Sequence, residues 1–394
     1  MKKLAIISEF NPFHNGHKYL IDKAKEITES DVSISLMSGD FVQRGEASLI
    51  DKYSRADTAL DNGFDLVIEM PNFISLQSAE FFSYKSIEIL NKLKIDYLAF
   101  GIENLDSEKF LDTSDRIINN NGKLEELTKH YLNNKHSFTE ARYLALKSFL
   151  GGNDFISSNN ILALEYMRSI SKINQNIKPI PIRRIGANNQ DLDIKDEKFA
   201  SSTSIRRNLS GEIKNLMPYS SYQKLQDFQK NYKQANKEKI LDIFKYKLMI
   251  EESPIRDSLC YEEGLDNYFR DLLKDNPSYD EFIDLAVSRR NTKARINRLI
   301  LNYILNNEKY LNEIDFDFIK VLAFNENATR VFKEIKGDLQ IVIRKSDIVK
   351  LSRDDLLIYE NMIRASKLYS LLIDRKLNSD FTRNITIKKT YEAN

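Results

Sequence analysis

Apolar residues in the first half of the chain come in short runs separated by longer stretches with helical spacing. Leu4, Ala5, Ile6 and Ile7 form the first run, which the polar pair Ser8-Glu9 closes. Residues 32–38, 64–69, 96–100 and 177–182 form four more, with Pro71 ending the third strand and Gly101 the fourth. Between them a first helix runs through Tyr19, Leu20 and Ala24, and residues 53–60, 79–93 and 160–170 repeat apolar positions three and four apart. Runs of four to seven apolar residues suit strands buried on both faces, and helical crossovers between such runs build parallel βαβ units. The pattern predicts a doubly wound parallel-sheet α/β domain that receives ligands at the carboxyl ends of its strands. From about residue 215 strand-like alternation becomes rare, and residues 224–246, 279–306 and 354–376 read as amphipathic helices. Gly211, Pro218 and the serines around them mark the change. The expectation is an α/β domain over 1–215 followed by an α-helical C-terminal domain over 216–394.

Composition narrows this picture without altering it. The 394 residues are 42% hydrophobic and 30% charged, enough to bury a core and unlike a disordered chain. Twelve glycines and seven prolines are too few for a turn-dense all-β design. Lys and Arg number 59 against 58 Asp and Glu, so any basic surface must be local. A single cysteine, Cys260, excludes a disulfide framework within the chain and a Cys-rich metal site, and reads as a small buried residue. The first apolar run stops after four residues, short of a signal peptide, and no run approaches the ~18 that would span a bilayer. A cytoplasmic protein with no membrane partner is expected.

Candidate chemistry gathers at the strand ends. After the first run stands Asn11-Pro12-Phe13-His14-Asn15-Gly16-His17, at the opening of the first helix. Unpaired N–H groups and the helix dipole make that end a receiver of anions. Gly16 lets a phosphate approach the backbone, and Pro12 sets the turn. Two imidazoles there could hold triphosphate oxygens and stabilise charge developing on an α-phosphate. A zinc pair is the competing use, but no cysteine stands nearby and no third ligand falls at a metal spacing. Loop histidines without a role are the plainer alternative.

Five further clusters follow. In Ser38-Gly39-Asp40-Phe41-Val42-Gln43-Arg44-Gly45-Glu46, two glycines frame Asp40, Gln43 and Arg44 on the same rim, where a solvated turn would read equally well. In Ser158-Asn159-Asn160, Asn159 or Asn160 reads first as a helix cap. Arg183-Arg184-Ile185-Gly186-Ala187 puts paired arginines at a strand end, suited to phosphates or a carboxylate, or simply solvated. Ser201-Ser202-Thr203-Ser204-Ile205-Arg206-Arg207 reads as a hydroxyl-rich helix start with a basic first turn. A cap explains the serines but not the arginines, which the dipole disfavours there. In the second half Arg289, Arg290, Lys293, Arg295 and Arg298 fall within ten residues that hold no acid. A helix there would carry Arg289 and Lys293 over successive turns as a phosphate-tracking face, with Asn291 and Thr292 ending one helix and capping the next. A solvated basic helix is the alternative.

Together these stretches resemble the HxGH nucleotidyltransferase superfamily, whose second signature is Ile-Ser-Ser-Thr-x-Ile-Arg-like. The resemblance narrows further. Ile7-Ser8-Glu9-Phe10-Asn11-Pro12-Phe13-His14-Asn15-Gly16-His17, the 38–46 stretch, Asp65-Leu66-Val67-Ile68-Glu69-Met70-Pro71 and Arg184-Ile185-Gly186-Ala187, in that order, look like the tRNA(Met) cytidine acetate ligase family. The similarity runs from the first strand to about residue 210. It continues more thinly through Thr292-Lys293-Ala294-Arg295-Ile296 and Val321-Leu322-Ala323-Phe324-Asn325.

What the resemblance implies is a ligase that forms acetyl-adenylate and pyrophosphate from ATP and acetate. The acetyl group then passes to N4 of the wobble cytidine in elongator tRNA(Met), with release of AMP. The implied ATP site comprises Ile7 to His17 as quoted, Lys18, Tyr19, Leu20, Gly101, Asn159, Asn160, Arg183 and Arg184, with His14 and His17 catalytic. Ser202, Thr203 and Arg206 would hold the β- and γ-phosphates, Mg²⁺ would share their charge, and no residue is assigned to a metal. Arg289, Arg290, Lys293, Arg295 and Arg298 would grip the tRNA. Where the family follows Arg-Ile-Gly-Ala with a Tyr-His-Asp-like ending, Asn188-Asn189-Gln190-Asp191 stand here, and these residues receive no role. The rivals are an adenylyltransferase acting on a small phosphorylated metabolite, which would not need a basic helical half, and a non-catalytic tRNA-binding protein, which would not need intact histidines.

Overall fold

The first apolar run lies at the middle of the sheet. The computed structural model describes residues 1–185, 198–383 and 385–389. The strands among the described residues are β1 (Lys3–Ser8), β2 (Val32–Ser38), β3 (Phe41–Val42), β4 (Glu46–Ala47), β5 (Leu66–Met70), β6 (Tyr97–Ile102), β7 (Lys178–Arg183), β8 (Phe318–Asn325), β9 (Gln340–Val342) and β10 (Thr386–Lys388). β3 and β4 form a separate two-stranded ribbon, and the other eight form one sheet in the order β10-β8-β5-β2-β1-β6-β7, with β9 also on β8. β5, β2, β1, β6 and β7 run parallel throughout. Strand order reverses between β1 and β6, the switch point at which such sheets open a crevice.

Alternation along β1 explains why its centre, Leu4 to Ile7, is apolar. Leu4 and Ile6 pack on one face with Met37, Val67, Ala99 and Ile182, beneath the helices Asn15–Thr28 and Lys52–Asp61. Ala5 packs on the other face with Ile34, Leu36, Ile68 and Leu98, beneath the helices Ala79–Lys92 and Ser158–Ile173. Neither face meets water, so a strand here has no polar side. The expected doubly wound α/β architecture is what the chain adopts.

The second half differs in two ways from the expected run of helices. First, the long amphipathic patterns are broken. Residues 224–246 fall in two helices, Tyr219–Asn231 and Lys237–Lys245, and residues 279–306 in Tyr279–Ala286 and Lys293–Leu305. The second break has a local cause: the Thr292 side chain caps the later helix by accepting from the Arg295 N–H. Second, the chain returns to the sheet in β8, β9 and β10. β8 lies antiparallel to β5, and β9 and β10 lie parallel to β8. A lysine, Lys320, interrupts the apolar run of β8 and conceals the strand in the sequence. The helical part has its own core, including Leu225, Phe244, Phe269, Phe282 and Tyr303, and it meets the sheet part through Phe41, Ile50 and Leu76.

Lys320 is buried because it is paired. Its Nζ lies 2.6 Å from Asp380 Oδ1 and 2.9 Å from Glu69 Oε2. Lys52 Nζ lies 3.0 Å from the same Asp380 oxygen and 2.8 Å from Glu69 Oε1, and the Tyr53 hydroxyl donates to Asp380 at 2.7 Å. Two cations and two anions thus share one interior site, joining the Lys52–Asp61 helix, β5, β8 and the C-terminal segment. No helix among the described residues is long and apolar enough to cross a membrane.

Candidate active site

The backbone leaving β1 turns sharply, with Phe10 in the left-handed region at φ 47°, and delivers His14 as the cap of the helix Asn15–Thr28. The Gly16 N–H donates to His14 Nδ1 at 3.0 Å, and the His14 N–H donates to His17 Nδ1 at 3.2 Å. The two rings stack with centroids 3.8 Å apart. Because both Nδ1 atoms accept from backbone, the neutral rings carry their protons on Nε2. Burial, the His17 charge, Arg184 and Arg206 hold His14 well below the usual imidazole range. Burial and then Arg184 push His17 down to about 3. Near neutrality the pair is therefore two uncharged N–H donors side by side at a helix N-terminus.

Arg55 fixes this rim, and sequence reading did not single it out. Fully buried on the Lys52–Asp61 helix, it donates to the carbonyls of Glu9 at 2.6 Å, Ser38 at 3.1 Å, Ile50 at 3.1 Å and Gly39. One guanidinium thus ties the loops after β1 and β2 together.

The crevice at the switch point is a cavity of about 400 Å³. The lining includes apolar side chains, Ile7, Phe82, Phe100, Leu162 and Tyr166, and polar ones, His14, His17, Ser202, Thr203 and Arg206. Gly101 leaves room for Arg184, whose Cγ would lie 3.2 Å from a Cβ there, and β6 continues through Gly101 to Ile102 rather than ending at it. The helix Ser202–Arg207 is a single short turn and a half, capped by Ser201, so Arg206 lies in its last turn, not its first. Arg206 reaches back to donate to the Asn11 carbonyl at 2.7 Å. A lining of donors and arginines together with apolar side chains is what a nucleotide triphosphate needs.

Most of the residues expected at this site line the cavity: Ile7, Ser8, Glu9, Phe10, Asn11, His14, Gly16, His17, Tyr19, Leu20, Gly101, Asn159, Arg183, Arg184, Ser202, Thr203 and Arg206. Others serve it from behind or not at all. Phe13 is in the core, and Pro12 is buried in the turn. The Asn15 amide donates to the Lys198 and Asn215 carbonyls, and Lys18 pairs with Asp22 on the surface. Asn160 is buried with its amide closed on both backbone groups of Glu103, at 2.8 Å each. Asp40 turns inward, accepting from the Lys52 N–H at 2.8 Å. Gln43 and Arg44 do reach the cavity. Gly186 to Asp191, including the departure at 188–190, lie outside the described residues.

Of the basic stretch, Arg289 and Arg290 lie in the break between helices and Lys293 opens the next; all three are exposed. Arg295 pairs with Glu262 at 3.2 Å. Arg298 donates to the Gln43 carbonyl at 3.2 Å, so the basic segment and the cavity wall meet at the β3–β4 ribbon. Among the described residues no cluster of three or more His, Cys, Asp or Glu could hold a metal ion. A Mg²⁺ held by the chain does not fit this donor set, whereas one carried on a triphosphate needs few protein ligands.

Fold and site together define a nucleotidyltransferase of the HIGH type, and the HIGH Nucleotidyl Transferase family matches residues 1–384. The chain is 34% identical over 377 residues to the tRNA(Met) cytidine acetate ligase of Caldicellulosiruptor bescii, covering 94% of each chain. It is 34% identical over 411 residues to that of Clostridium botulinum strain Langeland, covering 99% of each. This chain belongs to the tRNA(Met) cytidine acetate ligase family. Solved relatives agree: Thermotoga maritima TmcAL superimposes with a TM-score of 0.87 at 27% identity in its apo form. Bound with alpha-thio ATP it superimposes with a TM-score of 0.85 at 26% identity, and each comparison covers 99% of this chain and 100% of the other.

Proposed function

We propose that this chain is a ligase that couples ATP and acetate to the acetylation of N4 in the wobble cytidine of elongator tRNA(Met), through an enzyme-bound acetyl-adenylate. The observation that carries the reading is the stacked, uncharged His14–His17 pair at a helix N-terminus, inside a cavity otherwise ringed by arginines. In the first step an acetate oxygen attacks the α-phosphorus, and the bond to pyrophosphate breaks. The chain makes few covalent demands here, so catalysis is positioning and charge stabilisation. The two Nε2–H groups and the helix dipole receive the charge growing on the α-phosphate. Ser202, Thr203 and Arg206 receive the departing phosphates, whose charge a Mg²⁺ bound to the triphosphate would share. The apolar side chains hold the adenosine, and Arg289, Arg290 and Lys293 offer cations to RNA phosphates.

ATP–pyrophosphate exchange with acetate, with no acid and with a panel of phosphorylated metabolites tests this. Exchange that requires acetate is expected. His17→Ala should lower it ~10²–10³-fold, the scale of one lost oxyanion donor, while tRNA retention changes by less than about twofold. Exchange that ignores acetate and needs a phosphorylated metabolite would sink the reading in favour of an adenylyltransferase.

A further inference from the structure

The cavity wall holds one carboxylate among the described residues, Glu9, which feels the charges of Arg206, Arg44 and Arg55. A surface shaped for a triphosphate gains nothing from an anion, so Glu9 calls for a task other than phosphate binding. Its Oε1 accepts the Gln43 N–H at 2.8 Å, and its own carbonyl is fixed by Arg55 at 2.6 Å. Gln43 is the residue whose carbonyl holds Arg298 of the basic segment. One residue thus connects the carboxylate to the part of the molecule that meets RNA. Among the described residues the cavity lining offers no second carboxylate. Both histidines already spend their Nδ1 lone pairs on backbone N–H groups. Glu103, behind the wall, accepts from Asn159 at 2.5 Å.

Resting on the proposed tRNA acetylation, we propose that Glu9 is the general base of acetyl transfer, taking the proton from the cytidine N4 amine as that nitrogen attacks the acetyl carbonyl. The lone pair of this amine is delocalised into the ring, so it becomes a competent nucleophile only by shedding a proton. The N4–C bond forms and the C–O bond to the adenylate phosphate breaks. AMP leaves with the electron pair of that bond, and the proton resides on Glu9 until solvent takes it. Burial raises the Glu9 carboxyl above its usual range, against the Gln43 N–H and the charges of Arg206, Arg44 and Arg55. Tyr166 feels the Glu9 charge from the Ser158–Ile173 helix. A raised carboxyl is the stronger base.

The test measures acetate-dependent exchange and single-turnover transfer of labelled acetyl to a tRNA(Met) transcript, from pH 5 to 8.5, for wild type, Glu9→Gln and Glu9→Asp. Wild-type transfer should rise with pH to a plateau as Glu9 ionises. Glu9→Gln should lower transfer ~10²–10⁴-fold and abolish that acid limb, with a loss in exchange at least about tenfold smaller. Glu9→Asp should keep the limb at a reduced rate, and it decides the matter should the Gln variant fail to fold. Equal losses in both half-reactions, or an acid limb that survives in Glu9→Gln, would overturn the assignment. A wild type that exchanges with acetate yet acetylates no tRNA overturns instead the function on which it rests.

Discussion

Gly16 shows how much a single methyl group decides at the residue scale. A Cβ there would sit 2.8 Å from His14 Cε1 and 3.0 Å from its Nδ1, so an alanine displaces the ring whose nitrogen caps the helix. Gly16→Ala should reduce acetate-dependent exchange ~10²-fold by misplacing an oxyanion donor, and should cost about 1 kcal/mol of stability through the lost cap. An exchange assay beside a urea titration separates these, and an alanine variant with wild-type exchange would show the ring to be free to move. The glycine was legible in the sequence as room for a phosphate, whereas its service to His14 is a matter of tertiary contact. Arg55 was not legible, because its carbonyl partners Glu9, Ser38, Gly39 and Ile50 lie after β1, at the end of β2 and before its own helix, and meet only in the folded chain.

Among the elements, the smallest does the most joining. The β3–β4 ribbon carries Gln43 and Arg44 into the cavity on one side and rests on the Lys293–Leu305 helix on the other. Gly45, at φ +74°, makes the contact: a Cβ would lie 2.5 Å from the Arg298 backbone nitrogen. Gly151 has nearly the same φ, +72°, with nothing within 4 Å. Gly151→Ala should therefore cost about 1–2 kcal/mol, from backbone conformation alone. Gly45→Ala should exceed that by ~1–3 kcal/mol, from forced overpacking. Equal losses by urea denaturation would mean the ribbon is not held by close packing. Gly39 and Gly45 were visible as a loop frame in the sequence, but which helix fills the space beside Gly45 was not.

Over the whole molecule, the buried cluster of Lys52, Glu69, Lys320 and Asp380 ties residues far apart in sequence into one interior. Burial would raise the Asp380 carboxyl, but Lys320 and Lys52 overcome it and hold it far below the usual range. Burial would lower Lys52, but Asp380 and Glu69 hold it above the lysine range. For the depressed carboxyl, stability is present above its unfolded pKa of ~4 and is lost as pH falls. For the raised lysine it is full below ~10 and is lost as pH rises. Asp380→Ala strands two buried cations and should cost ~3–5 kcal/mol at pH 7 by chemical denaturation. Its stability should also fall less steeply than wild type between pH 5 and 3. An unchanged midpoint would show that the C-terminal segment is not needed to seal the sheet.

The pattern along the chain was enough to place β1, β2, β5, β6 and β7, since each centres on a short, largely apolar segment set between helical patterns. The His14–Gly16–His17 spacing was enough to place both histidines at the start of the first helix, since helix caps are local structure. Charges that are buried in pairs obey no local rule, and so Lys320 hid β8, and Asp40 was read as a rim residue when it faces inward. Glu9 stood in the quoted motif as one residue among many. Only the closing of the wall around it, with Arg206, Arg44 and Arg55 near and both histidine Nδ1 lone pairs engaged, sets it apart as the one carboxylate of the cavity lining among the described residues.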